Sequence, residues 1–535
     1  MEVVGDNKCY TLFKEAFMKN ILELKFGFSD AENYRRRENK ELFNKVFLRN
    51  RHLDTLCDPG TSFLIGEKGT GKTAYAVFLS NNLYKDTQSS LSYIRETDYQ
   101  KFITLKKQKQ LDLSDYANIW KVILLLLISE QVKRFGGEPE FWKKFVKFNA
   151  VQQAIDEYYH RAFSPEIMTA LQFVQEAKIA AELLAKYATV GSEVKEKTVF
   201  SESRFQINLF YIQQQFESAL RQVHLSHDHI LFIDGIDIRP NSIPYIDYLE
   251  CIKGLANAVW ELNNDFFPSI KGKKGRLRTI LLIRPDIFES LGLQNQNGKI
   301  RDNSVFLDWR TNDKDHKTSD LFQVVDHLIA SQQEGDPLEL GKAWDWYFPW
   351  EGSSVDFIHW SLHRPRDIVS MLVILRDLMG ERCQNLAQFS RQNLSDTEFV
   401  RRYSDYLLGE VKDHLTFYYG DADYELFLQF FEFLKGKIKF TFVEYSKAFD
   451  EFRRTIGLSN DQMPKFMATR STFLQFLYNL NIISYTEQSL TGEKYTRWCF
   501  RERSFANISP KVKEGVDYQI FIGFSKALNV GQELR

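Results

Sequence analysis

Five cysteines (Cys9, Cys57, Cys251, Cys383, Cys499) are scattered through 535 residues, and no two form a Cys-x-x-Cys pair. That spacing offers neither a zinc knuckle nor a disulfide framework, and it suits a reducing compartment. Met1–Lys14 lacks the apolar core of a signal peptide. The greasiest run, Val122–Ile128, lies between Lys121 and Glu130 and is too short to span a bilayer. These absences predict a cytoplasmic protein without a membrane partner. The formal net charge is −1, so any nucleic-acid surface must be local. There is no internal repeat, no low-complexity segment, and no recognisable nuclease, protease or nucleotide-cleaving motif.

What is present is a glycine-rich loop in a telling context. Gly66-Glu67-Lys68-Gly69-Thr70-Gly71-Lys72-Thr73 fits G-x-x-x-x-G-K-[ST], follows the apolar run Ser62–Ile65 and opens a helical pattern from Ala74 to Tyr84. In such a strand–loop–helix unit the glycines let backbone N–H groups turn inward around a phosphate. The helix N-terminus adds partial positive charge. Gly66, Lys68, Gly69, Thr70, Gly71, Lys72, Thr73 and Ala74 are the expected nucleotide-binding residues. Lys72 is expected to reach the β- and γ-phosphates of ATP, and Thr73 to ligate Mg²⁺.

Further strand candidates are Leu91–Arg95, His229–Asp234, Arg278–Ile283 and Ser304–Trp309. Strands alternating with helices predict an α/β fold whose five strands form a parallel sheet. Between about 110 and 222 the pattern is helical, with candidates at Ile119–Phe135 and Pro165–Tyr187 and breaks at Gly136-Gly137 and Gly191-Ser192. An insertion of this size is not idle loop; it either adds packing or docks a partner. Beyond about 336 strands almost vanish, apart from a ribbon at Ile482–Tyr485 and Lys494–Phe500. The expected segments are a helical stretch 1–58, a sheet core 59–335, helices over 336–410 and a C-terminal part 411–535.

Ile230–Ile233 is an apolar strand that delivers Asp234 to the sheet's C-terminal edge, where ligands of open α/β sheets bind. Asp234 reads as a second Mg²⁺-holding group, a Walker B aspartate. Gly235 stands where a glutamate usually follows, so Asp237 is the nearest acid able to orient an attacking water; its alternative role is to cap the next turn. Arg284 ends the strand Thr279–Ile283, where it either senses the γ-phosphate or caps the sheet. Arg366, in His363-Arg364-Pro365-Arg366, stands at a helix start marked by Pro365. It could aim at the phosphates, with Arg364 a weaker candidate, or simply pair with Asp367. Arg301 lies in a polar loop, Gln294–Asn303, and could serve a neighbouring subunit's ATP in trans, with Lys299 in competition. His224, His227, Asp228 and His229 precede a buried strand and read as surface rather than as a metal site.

The order of these motifs resembles AAA+ ATPases of the STAND, NACHT and KAP neighbourhood, and large bacterial P-loop ATPases linked to phage defence. The runs Lys25–Glu32 and Leu282–Phe288 look like theirs, and so do Asp234-Gly235-Ile236-Asp237 and Arg284-Pro285. The resemblance covers residues 20 to 370 and implies an AAA+ core, a helical lid opened by Pro365-Arg366, and homo-oligomerisation. It further implies an ATP-driven switch with a possible effector partner. Two departures stand out: Ile238 replaces an acid, and His363 replaces the glycine of the second sensor. The C-terminal part resembles a winged-helix module, with helices at Tyr424–Leu434, Phe442–Phe452 and Phe466–Leu480. Its wing would carry Arg497, Arg501 and Arg503 on one face. Alternatives are a nucleic-acid-handling AAA+ loader or remodeller, and a nucleotide-binding scaffold with negligible turnover.

Overall fold

The computed structural model describes residues 18–94, 115–134 and 213–531, apart from 29, 215, 218–219, 222, 224, 240–242, 271–274, 313, 385, 458–461 and 505. The expected helix Pro165–Tyr187 and both glycine breaks lie outside the described residues. The chain divides into two compact units. One comprises Asn50–Glu67 with Lys72–Leu307; the other comprises Lys68–Gly71 with Asp308–Arg535 and the chain up to Arg49.

The first unit is built on five strands: β1 (Phe63–Ile65), β2 (Thr87–Tyr93), β3 (Asp228–Asp234), β4 (Leu277–Ile283) and β5 (Ser304–Phe306). All pairings are parallel, in the order β2-β3-β4-β1-β5. Every residue of β1 and β4 is buried, as a parallel sheet covered on both faces requires. The helices include α1 (Lys72–Asn81), α2 (Asp115–Arg134), α3 (Tyr245–Glu261), α4 (Pro285–Ser290) and α5 (Gln296–Asn303). The connection leaving β1 runs toward the β2 edge, whereas those leaving β2, β3 and β4 run the other way. The C-terminal end of β1 is thus the point where the winding reverses, the favoured ligand position in such sheets.

Three elements of this unit differ from expectation. β5 ends at Phe306 rather than Trp309. β2 begins at Thr87 rather than Leu91, because Thr87, Ser89 and Leu91 alternate inward and two of the three carry hydroxyls instead of hydrocarbon. Residues 296–303 form α5 rather than a loop. Asn295 takes a left-handed turn (φ 51°) before it, and Ile300 buries one side.

In the second unit the helices include α6 (Asp320–Ala330), α7 (Pro365–Glu381), α8 (Thr397–Tyr418), α9 (Asp421–Phe430), α10 (Phe442–Ile456), α11 (Arg470–Asn479) and the single turn α12 (Cys499–Glu502). A four-stranded sheet is woven among the last of these: β6 (Lys439–Thr441), β7 (Ile483–Gln488), β8 (Lys494–Arg497) and β9 (Asp517–Ile520), in the order β6-β9-β7-β8, antiparallel throughout. The expected ribbon is β7 and β8. β6 and β9 were not legible because each is a short strand of three or four residues with partly exposed positions. An aromatic core formed by Phe427, Phe430, Tyr445, Phe449, Phe452 and Phe473 absorbs much of the phenylalanine excess. No helix among the described residues is long and apolar enough to cross a membrane.

Candidate functional site

β1 ends at Ile65, level with Ile283 of β4 and Phe306 of β5. The Gly66 N–H donates to the Ile283 carbonyl (3.2 Å), which fixes the loop's departure from mid-sheet. Gly69 (φ 86°) and Gly71 (φ 95°) adopt backbone geometry that L side chains disfavour, as a curled loop needs. Lys72 and Thr73 open α1, with Ala74 next in the same turn.

Within the sheet unit, Lys72 is buried, and its Nζ donates to the carbonyls of Gly66 (2.8 Å) and Glu67 (3.2 Å). It stands 3.8 Å from Asp237 Oδ2. The Thr73 hydroxyl donates to Asp234 Oδ2 at 2.6 Å, although the two residues are 161 positions apart. Asp234 Oδ1 accepts from the Gly235 N–H (2.8 Å). Burial pushes the Asp234 carboxyl above the ordinary aspartate range and Asp237 adds to this, while Thr73, Gly235 and Lys72 oppose it. Asp237 Oδ1 is buried without a hydrogen-bond partner. Lys72, Thr73, Asp234 and Asp237 are therefore brought together.

Gly235 takes φ 91°, and a Cβ there would overlap the Ile94 carbonyl oxygen and lie 3.0 Å from the Ile94 nitrogen. A glutamate cannot follow Asp234 in this backbone without displacing β2.

Arg284 is almost wholly buried and bound to Asp286, through Nε (3.1 Å) and Nη2 (2.8 Å). Arg284 is the residue before α4 and its side chain makes no cap hydrogen bond there, so it is a buried, ion-paired arginine rather than a surface cap of the sheet. Arg301 is on α5, with its side chain 80% exposed and paired to Asp302 (2.9 Å). Lys299 instead turns inward: it is buried, donates to the Gln294 carbonyl (2.8 Å) and lies 4.7 Å from the centre of the Trp260 ring. His227 pairs with Asp86, and burial lowers the His229 imidazole to about 4. His224 lies outside the described residues. Groups of three or more potential metal ligands are absent among the described residues.

In the second unit, the loop tip Lys68–Gly71 lies against the start of α7. The Arg366 N–H donates to the Gly69 carbonyl (3.3 Å), Arg364 Nη1 to the Lys68 carbonyl (3.2 Å) and Trp309 Nε1 to the Thr70 carbonyl (2.9 Å). A Cβ on Gly69 would lie 3.2 Å from Arg366 Cβ. Arg364 is locked by the fully buried Asp367, through Nε (2.9 and 3.1 Å) and Nη2 (2.7 Å). Burial disfavours the Arg364 charge, but Asp367, Tyr406 and Glu410 hold its acidity weaker than that of an ordinary arginine. Arg366 Nη1 is 3.5 Å from Glu410.

His363, at the position of the expected glycine, has φ 53°. The backbone keeps the left-handed turn, and the imidazole is buried over Phe500 (4.9 Å) with Arg501 3.3 Å from Nε2. Burial, then Arg501, lowers its pKa to about 3, so it is neutral.

Arg497, Arg501 and Arg503 do not share a wing face. Arg497 ends β8 and pairs with Glu487 and Glu502, while Arg501 lies in α12. Arg503 donates to the Ile508 carbonyl (2.8 Å). The chain turns into a helical turn after Arg497, which breaks the two-residue alternation.

Sequence reasoning missed Glu410, Asp413 and Trp309. None stands in a motif, and each reaches the loop only through folding. Comparison with known protein families finds no matching family, and comparison with curated proteins finds no match.

Proposed function

We propose that the chain binds Mg-ATP at Gly66–Thr73 and hydrolyses it, and that nucleotide state switches its association with copies of itself or with an effector partner. The observation that carries this reading is the 2.6 Å contact of Thr73 with Asp234, beside a buried Lys72 in a glycine loop at the reversal point of a parallel sheet. The residues fit the ligands. Thr73 and Asp234 present hard oxygens of the kind Mg²⁺ prefers, and Asp237 Oδ1 is an orphan acceptor in the same place. Thr73 and Asp234 would hold Mg²⁺, which neutralises phosphate charge when bound. Lys72 would exchange the carbonyls of Gly66 and Glu67 for phosphate oxygens. Asp237 would orient water and accept its proton at the carboxylate.

On this reading the chain is an AAA+ ATPase of the STAND, NACHT and KAP kind, with a winged-helix-like module around β6–β9. Defence signalling follows from the resemblance alone. Shifting a two-state balance from 1:99 to 99:1 needs about 5.5 kcal/mol of differential affinity. A triphosphate held by Lys72 and Mg²⁺ has the charge to supply that. The nucleic-acid alternative gains no support from Arg497, which is ion-paired within its own module.

Lys72→Ala is expected to weaken Mg-ATP binding by at least about a hundredfold, or ~2.8 kcal/mol, in titration calorimetry. Unchanged binding by a folded variant would refute the nucleotide reading. Arg301→Ala is expected to leave the melting temperature and dilute-solution turnover unchanged. Were Arg301 to act in trans, turnover per chain would fall only at concentrations where oligomers form.

A further inference from the structure

Glu410 is a largely buried carboxylate near the loop tip that neither the motifs nor the nucleotide reading uses. It lies on α8, with its side chain only 15% exposed. Lys68 Nζ (3.4 Å) and Arg366 Nη1 (3.5 Å) face its Oε1, and Arg364 Nη1 (3.9 Å) faces its Oε2. These are loose contacts: Oε2 has no hydrogen-bond partner. They contrast with the close grip of Arg364 on Asp367 and of Lys68 on the exposed Asp413 (2.6 Å). Burial pushes the Glu410 carboxyl up, but Arg364, Lys68 and Arg366 hold it below the ordinary glutamate range. Three cations thus meet three carboxylates, those of Asp367, Glu410 and Asp413. An added phosphate would leave the cluster strongly negative unless one carboxylate withdrew. Asp367 is fixed, since it also accepts from the Leu362 N–H (3.0 Å) and the Tyr406 hydroxyl (3.0 Å). Glu410 is buried but under-bonded, and it is the carboxylate that Arg366 faces.

We propose that Glu410 is a resident anion that holds the place of a terminal phosphate on Arg366, Arg364 and Lys68. Its displacement makes the site distinguish triphosphate from diphosphate. This rests on the nucleotide reading above. Phosphate competes well because it carries more charge and more acceptor oxygens than a carboxylate. Displacement has a mechanical outlet. Ser404, on the same α8, accepts from the Ala527 N–H (2.8 Å), and Leu407 packs so closely on Gly523 that a Cβ there would clash. Movement of α8 therefore pulls on the segment that follows β9.

The test titrates wild type and Glu410→Gln with Mg-ATP and Mg-ADP by calorimetry. The neutral side chain is expected to raise ATP affinity on the order of tenfold relative to ADP, within the range of ordinary coupling between sites. Equal changes for both nucleotides, or none, would overturn the proposal while leaving the nucleotide reading intact. Wild type that binds neither nucleotide would overturn both. Should the variant not fold, hydrogen exchange of the wild type decides. ATP but not ADP is expected to speed exchange in Thr397–Tyr418 and Ile522–Leu528, and identical exchange in the two complexes would refute the displacement.

Discussion

Asp237→Asn is expected to slow ATP hydrolysis by roughly 10²–10⁴-fold, the usual worth of a positioned general base. Asp237 has one oxygen 3.8 Å from Lys72 and the other without a hydrogen-bond partner, so it is poised rather than saturated. Asparagine keeps the shape and a carbonyl oxygen but loses the charge and the basicity. Asp237 stands 3.8 Å from Lys72, beyond hydrogen-bond distance, so its loss leaves Lys72 free to meet phosphate and ATP affinity is expected to hold within about threefold, separating kcat from binding. A structural role for Asp237 gives the opposite split: weakened binding from a misplaced Lys72 with turnover little changed at saturation. A scaffold that barely hydrolyses ATP gives a third result, in which Asn and Asp turn over alike. Steady-state turnover and calorimetry on the same two proteins tell the three apart.

The candidate site was legible where its residues are contiguous or where a strand points them. Lys72 and Thr73 follow from the loop pattern, and Asp234 from four buried residues ending at the sheet edge. Arg366 was legible from Pro365, yet its partner was not. Glu410 stands in no motif, and only the packing of α8 against the start of α7 exposes its company. The helix at 296–303 was missed because Gln-Asn-Gln-Asn-Gly looks like loop. The buried Ile300, and Lys299 turned inward with its ammonium over the Trp260 ring, give these residues the buried side that a loop would lack. β2 escaped because hydroxyl side chains fill its inward positions, so its two-residue period carries little hydrophobic contrast. Arg284 was placed correctly at a strand tip, but its burial and the bidentate grip of Asp286 on the Nε and Nη2 edge of its guanidinium were not legible.

Gly235→Ala is expected to destabilise the sheet unit by about 3 kcal/mol, combining left-handed backbone strain of ~1–2 kcal/mol with disruption of a neighbouring strand. A methyl at 235 meets backbone rather than a flexible side chain, because the Ile94 carbonyl occupies that space. Relief requires the end of β2 to withdraw from β3, which strains the Ile94 N–H bond to the Asp234 carbonyl (2.9 Å). That bond anchors the backbone of the residue whose carboxylate meets Thr73, so turnover is expected to fall together with stability. Gly292→Ala is the control: it has a positive φ of 56° in the same unit, but nothing lies within 4 Å of the added carbon. It is expected to cost only the backbone strain, about 1–2 kcal/mol, and to leave turnover unchanged. Denaturant titration of both variants measures the difference. If Gly235→Ala proves no worse than Gly292→Ala, β2 yields easily. The acid position after Asp234 would then be open to a glutamate, and Asp237 would lose its claim as the one acid this backbone admits beside Lys72.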